Sequence, residues 1–123
     1  MNINIWILLA ILFTHWVADF VCQTNKMATG KSKNWTDLLN HTSLYSAIFL
    51  LMGTIWFPLN QFWAVVMFSG ITFVAHTATD YVTSRINARL WEQKKVHWFF
   101  VSIGFDQFLH YTQLLLTYYL LNL

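Results

Sequence analysis

Asp106 and His110 stand four residues apart in the stretch Phe-Asp-Gln-Phe-Leu-His-Tyr, within an apolar run over residues 97–123. On a helix that spacing places both side chains on one face, one turn apart. The reverse order, His-x-x-x-Asp, occurs at His15 with Asp19 and at His76 with Asp80. Imidazole moves protons near neutral pH, and imidazole with carboxylate ligates Zn, Mn or Fe. Helix bundles build such metal sites from paired ligands at this spacing. Ionisable groups inside apolar segments are costly and mark function by default. With His41 added, the expected ligand set is His15, Asp19, His41, His76, Asp80, Asp106 and His110. Seven ligands exceed the four that one Zn ion takes, so the set suits one divalent ion with supporting Asp–His pairs, or two ions sharing a carboxylate. Gln23, Lys26, Tyr45 and Gln107 are expected to orient ligands or touch a substrate head group. Thr72 and Ser102 are expected to bond their own helix backbone.

The elements that must carry these residues follow from composition. Hydrophobic residues make up 57% of the 123 residues and charged residues 10%. Soluble domains carry about 25% charged residues. The balance is too apolar for a disordered chain and too weakly charged for a nucleic-acid binder. One cysteine, Cys22, excludes an intrachain disulfide and a thiolate zinc cluster, and is expected to serve packing. Four spans are expected, over residues 3–23, 35–57, 61–85 and 97–121, in one transmembrane domain. The first contains His15 and Asp19 and has no basic residue before it, so it is expected to be a retained span. Pro58, Leu59 and Asn60 make a tight turn between the second and third.

All seven basic residues lie in or beside the two longer links, between spans one and two and between spans three and four. The positive-inside rule places those links in the cytoplasm and both termini outside. Trp6, Trp56 and Trp63 then fall near the outer boundary, and Trp35, Trp91 and Trp98 near the inner one, with Trp16 the exception. The Asn-x-Thr matches at Asn34 and Asn40 fall on the cytoplasmic side and are taken as chance. The expectation is an all-α, antiparallel four-helix bundle, polytopic in a cytoplasmic membrane.

Chain direction explains the reversed motif. Spans one and three run inward with His before Asp; span four runs outward with Asp before His. Each aspartate then lies nearer the cytoplasm and each histidine one turn deeper. At roughly 1.5 Å per residue, Asp19 and Asp80 lie about 6–8 Å below the inner boundary and their histidines about 12–14 Å. His41 falls at the same level. A lone His–Asp pair serves equally as an interhelical hydrogen bond, and two histidines can ligate haem. Three acids and four imidazoles at one depth favour a divalent cation.

The motifs His15-Trp-Val-Ala-Asp19-Phe20-Val-Cys-Gln23, Leu39-Asn-His41, His76-Thr-Ala-Thr-Asp80 and Phe105-Asp106-Gln107-Phe-Leu-His110, with Lys26, resemble a family of small bacterial and phage membrane proteins, domain of unknown function 3307. The resemblance implies the four-helix layout and this choice of residues; it implies no reaction. The functional expectation is a metal-dependent hydrolase acting on a lipid or lipid-linked amphiphile at the cytoplasmic face. The alternatives are a phage or bacterial membrane factor with a structural metal, and a cation or proton transporter.

Overall fold

The computed structural model describes residues 4–123. The expected start of span one at residue 3 lies outside them. Helix α1 (Ile5–Trp16) opens on Asn4, whose side chain accepts the Trp6 N–H at 3.0 Å. It runs without a break into a π-helical turn, Val17–Val21, closed by a Cys22 N–H to Val17 C=O bond of 2.9 Å. Such turns occur mostly as insertions within α-helices, often at functional sites. This one carries Asp19.

The polar link holds a short helix, α2 (Asn25–Gly30), capped by Thr24. Helix α3 (Trp35–Trp56) starts at Asn34, whose side-chain oxygen accepts from Asp37 N–H and whose amide donates to the Asp37 carboxylate, both at 2.8 Å. That exchange ties down an acid at a helix N-terminus, where it is favoured. Pro58 and a 3-10 turn (Leu59–Gln61) lead into α4 (Phe62–Glu92). A tight turn with Lys94 at φ 57° leads into α5 (Val96–Leu120). Among the described residues the fold is all-α, with five helices and no strand.

Helix α4 packs along both α3 and α5, and α1 touches α3 and α5, so the four long helices meet in ring order. Two glycines permit the closest approaches. A Cβ at Gly30 would come within 2.6 Å of Asp37 Cγ, so only glycine lets α2 end against the start of α3. A Cβ at Gly53 would come 2.5 Å from Val65 Cγ1, where α3 meets α4.

Polarity is inverted relative to a water-soluble domain. Among the described residues, sixteen polar or charged residues are buried against nine apolar ones. Large apolar side chains cover the outside, with Trp6 and Trp63 each 75% exposed. Ile11, Phe49, Phe68 and Leu114 fill one half of the interior as an apolar plug, and the buried acids and imidazoles fill the other. Two helical stretches, Trp35–Trp56 and Leu59–Glu92, are long and apolar enough to cross a membrane; Ile5–Val21 is apolar but shorter. By the same criteria α5 does not join them, because its middle carries the polar Asp106, Gln107, His110 and Gln113.

Candidate metal centre

Four elements deliver the cluster. The π turn supplies Asp19, α3 supplies His41, α4 supplies His76 and Asp80, and α5 supplies Asp106 and His110. All six are buried. His41 Nε2 lies 3.1 Å from Asp19 Oδ1, 3.2 Å from Asp80 Oδ2 and 3.1 Å from His76 Nε2. His76 Nε2 lies 3.5 Å from Asp19 Oδ1 and 3.7 Å from Asp80 Oδ2. A tetrahedral ion with bonds of about 2.0–2.1 Å separates its ligand atoms by about 3.3–3.4 Å. These five separations bracket that edge, so Asp19, His41, His76 and Asp80 could hold a metal ion. Asp19 Oδ1 is buried and accepts no aligned hydrogen bond, an acceptor left free for a cation.

A second group, Asp19, Asp106 and His110, could also hold an ion. Hydrogen bonding sets the two groups against each other. His110 Nε2 lies between Asp80 Oδ1 at 3.1 Å and Asp106 Oδ1 at 3.3 Å, so it is a donor. Its Nδ1 faces His76 Nδ1 at 3.1 Å, and a single proton joins the two. With both rings neutral, His76 donates that proton and its Nε2 lone pair faces the first group. If His110 Nε2 became a ligand instead, His76 would need its proton on Nε2. While the Nδ1 contact holds, neutral rings serve one group at a time.

His15 does not join either group. Gln107 Nε2 donates to Asp19 Oδ2 at 3.3 Å and Asp106 Oδ2 at 3.1 Å, because carboxylates only accept. Gln107 Oε1 therefore faces His15 Nε2–H at 2.7 Å, and His15 Nδ1 accepts the Tyr45 hydroxyl at 2.6 Å. Both ring nitrogens are occupied, and Asp19 Oδ2 is 3.7 Å away. Tyr45 also stacks on His76, with ring centroids 3.8 Å apart and planes at 13°. Tyr45, His15 and Gln107 thus form a chain that orients two carboxylates and one imidazole.

Lys26 is not brought to the cluster. It is 81% exposed and lies 3.9 Å from Asp37. The lysine that reaches in is Lys31, whose Nζ donates to Asp80 Oδ2 at 2.8 Å. Burial alone would lower its pKa; the carboxylates of Asp80 and Asp19 outweigh that and hold it above the usual 10.5. Thr72 also departs from expectation, accepting from Gln113 Nε2 at 3.2 Å across to α5, while Ser102 sits half-buried.

The cluster opens through Asp19 and Asp106 into a cavity of about 520 Å³ between the π turn, α2, α4 and α5. Gln23, Lys31, Ser84 and Asn87 line its polar side, and Phe99, Phe100 and Ile103 its apolar wall.

Residues 7–123 match the family described as "Protein of unknown function (DUF3307)". The chain belongs to the DUF3307 family. The resemblance carried by the motifs therefore holds over nearly the whole chain. No curated protein and no solved structure matches it.

Three lining residues of this DUF3307 chain escaped the sequence reading. Ser84 and Asn87 follow His76 and Asp80 at intervals of four and three, one continuing helical face, so their spacing carried the signal. Lys31 had none, because its approach depends on how α2 folds back.

Proposed function

We propose that this chain is a membrane-embedded divalent-metal-binding protein that works as a metal-dependent hydrolase on a lipid or lipid-linked substrate at the cytoplasmic face. The observation that carries the reading is the opening of a His₂Asp₂ group that could hold a metal ion, through Asp19, into an amphipathic cavity. The inverted polarity and the clustering of basic residues at the two longer links support a multi-pass protein of the bacterial or phage-infected host cytoplasmic membrane, with both termini outside. Lipid is the surrounding partner.

A Zn, Mn or Fe ion would lower the pKa of a bound water and polarise the scissile group. One ion is the reading the shared His76–His110 proton supports best. Asp106, at the cavity wall and beside His110, is placed to take the proton from the attacking water and return it to the leaving oxygen. Water's hydroxyl then ends on the electrophile and its proton on the leaving group.

One observation favours a second reading. Four protein ligands already complete a tetrahedron, as in a structural site, whereas catalytic ions keep a position open. A non-enzymatic membrane factor with a metal staple fits that closure. Transport fits less well, since Ile11, Phe49, Phe68 and Leu114 plug the other half of the interior.

The deciding experiment measures metal content and hydrolysis of phosphate-ester and acyl-ester amphiphiles together. Wild type should carry metal and turn substrate over, and Asp106→Asn should keep the metal and lose turnover. Metal-free wild type of unchanged stability sinks the metal reading; bound metal without turnover on either ester class leaves the staple.

A further inference from the structure

Six buried side-chain atoms lack a hydrogen-bond partner among the described residues, and Gln23 Oε1, Ser84 Oγ and Asn87 Oδ1 are three of them. All three residues line the one cavity beside the cluster. A buried polar atom without a partner costs about 1–3 kcal/mol, and Gln23 Oε1 and Asn87 Oδ1 are amide oxygens that only accept, so the contents of the cavity must supply donors. Lys31 lines it too, and among the described residues its three donors meet one protein acceptor, Asp80 Oδ2. Facing these groups are Phe99, Phe100 and Ile103. At the rim, Phe20, Trp91 and Phe100 are 47%, 58% and 62% exposed, so the apolar side opens outward. An ammonium and a hydroxyl that donate and two amide oxygens that accept on one wall, with aromatic rings on the other, suit a ligand whose head carries an anionic group beside hydroxyl or ammonium donors, on an acyl tail.

We infer that this cavity binds the head group of a phosphate-bearing amphiphile, with Lys31 and the Ser84 hydroxyl donating to the phosphate and the Gln23 and Asn87 amide oxygens accepting from hydroxyl or ammonium donors of the head. The inference rests on the metal reading above and names its substrate class. Three carboxylates and Lys31 together carry a charge of −2 with the histidines neutral, which repels an anion. One divalent ion brings that to zero. Phosphate binding therefore requires the metal, and Lys31 then gives the head group a charge-assisted contact without a competing net repulsion.

The test uses full-length protein in detergent, with metal content determined on every sample. The probes are a short-chain phosphonate lipid with a hydroxyl-bearing head, whose P–C bond resists hydrolysis, the matching diacylglycerol, and inorganic phosphate. Trp91, on the cavity wall, reports binding by fluorescence. Metal-loaded protein should bind the phosphonate lipid at least about ten-fold more tightly than either other probe, and Lys31→Gln and Asn87→Ala should each weaken it about ten-fold. Asn87 lies outside both ligand groups, so its variant should keep wild-type metal. Diacylglycerol binding as tightly as the phosphonate overturns the phosphate contact. Inorganic phosphate binding as tightly overturns the lipid source. Unchanged affinity in both variants at normal metal content overturns the assignment of the cavity wall. Wild type that takes up no metal registers separately, as failure of the metal reading, and removes this one with it.

Discussion

The Nε2 atoms of His41 and His76 face each other across 3.1 Å, from α3 and α4, and each also faces Asp19 Oδ1 and Asp80 Oδ2. Two imidazole nitrogens and two carboxylate oxygens converge with too few protons to bond them all. A cation answers that convergence more completely than hydrogen bonds do.

Metal stoichiometry is the first consequence. Elemental analysis of purified wild type should find about one divalent ion per chain, since neutral His76 and His110 share one proton. His41→Ala and His76→Ala should both abolish binding. Free metal at a hundred times its Kd should raise stability by about 2.7 kcal/mol, and chelator should remove that gain. Two tightly held ions per chain would overturn the shared-proton argument.

Tyr45→Phe should separate orientation from ligation. It removes the hydroxyl that His15 Nδ1 accepts while keeping the ring stacked on His76. The unpaired nitrogen should cost about 1–3 kcal/mol in unfolding free energy. Metal content should stay at the wild-type value. Loss of the ion in this variant would show that Tyr45 holds the centre more directly than its contacts indicate.

The four glycines should divide into two pairs. Gly30→Ala and Gly53→Ala introduce Cβ atoms against Asp37 and Val65 and should destabilise by about 1–3 kcal/mol. Gly70→Ala and Gly104→Ala meet nothing within 4 Å and sit inside α4 and α5, so they should be neutral or stabilising by up to about 1 kcal/mol. Gly30→Ala should leave metal content unchanged, because it displaces α2 and Lys31 and none of the ligand residues. Denaturant titration in detergent and metal analysis check both halves.

Lys31 gives a pH signature. Its pKa is raised above 10.5 on folding, so its contribution is fully present below that value and is lost as pH climbs through the higher folded-state value. The stability difference between wild type and Lys31→Met should therefore hold from neutral pH up to about 10.5 and shrink as pH climbs beyond it. A difference that fades between neutral pH and that value would mean the ammonium is not held by Asp80.

Topology is open to labelling. In a Cys22→Ser background, cysteines at the exposed positions Lys33 and Lys94 should react with an impermeant thiol reagent only after the cytoplasmic face is opened. Cysteines at Asn60 and Asn122, also exposed, should react in intact cells. The opposite pattern would invert the proposed orientation and move the cavity to the other leaflet.

The sequence by itself determined the helices, their order, and six of the residues that meet in the two ligand groups. It could do so because helical spacing is local: residues four apart share a face wherever the helix lies. Apolar patterning placed the ends of α3 and α5 to within a residue, while α4 runs on to Glu92, past the apolar span that ends at residue 85; the π turn that re-aims Asp19 and the short helix inside the polar link left no such mark. Tertiary structure alone decided which polar groups touch. His15 carries the same motif as His76, yet Tyr45 and Gln107, distant in sequence, saturate both of its nitrogens. Lys26 and Lys31 look alike in the chain, and the packing of Gly30 on Asp37 sends only Lys31 inward. Spacing along one helix fixes which way a side chain faces; the partner it finds depends on the register between helices, which no single segment encodes.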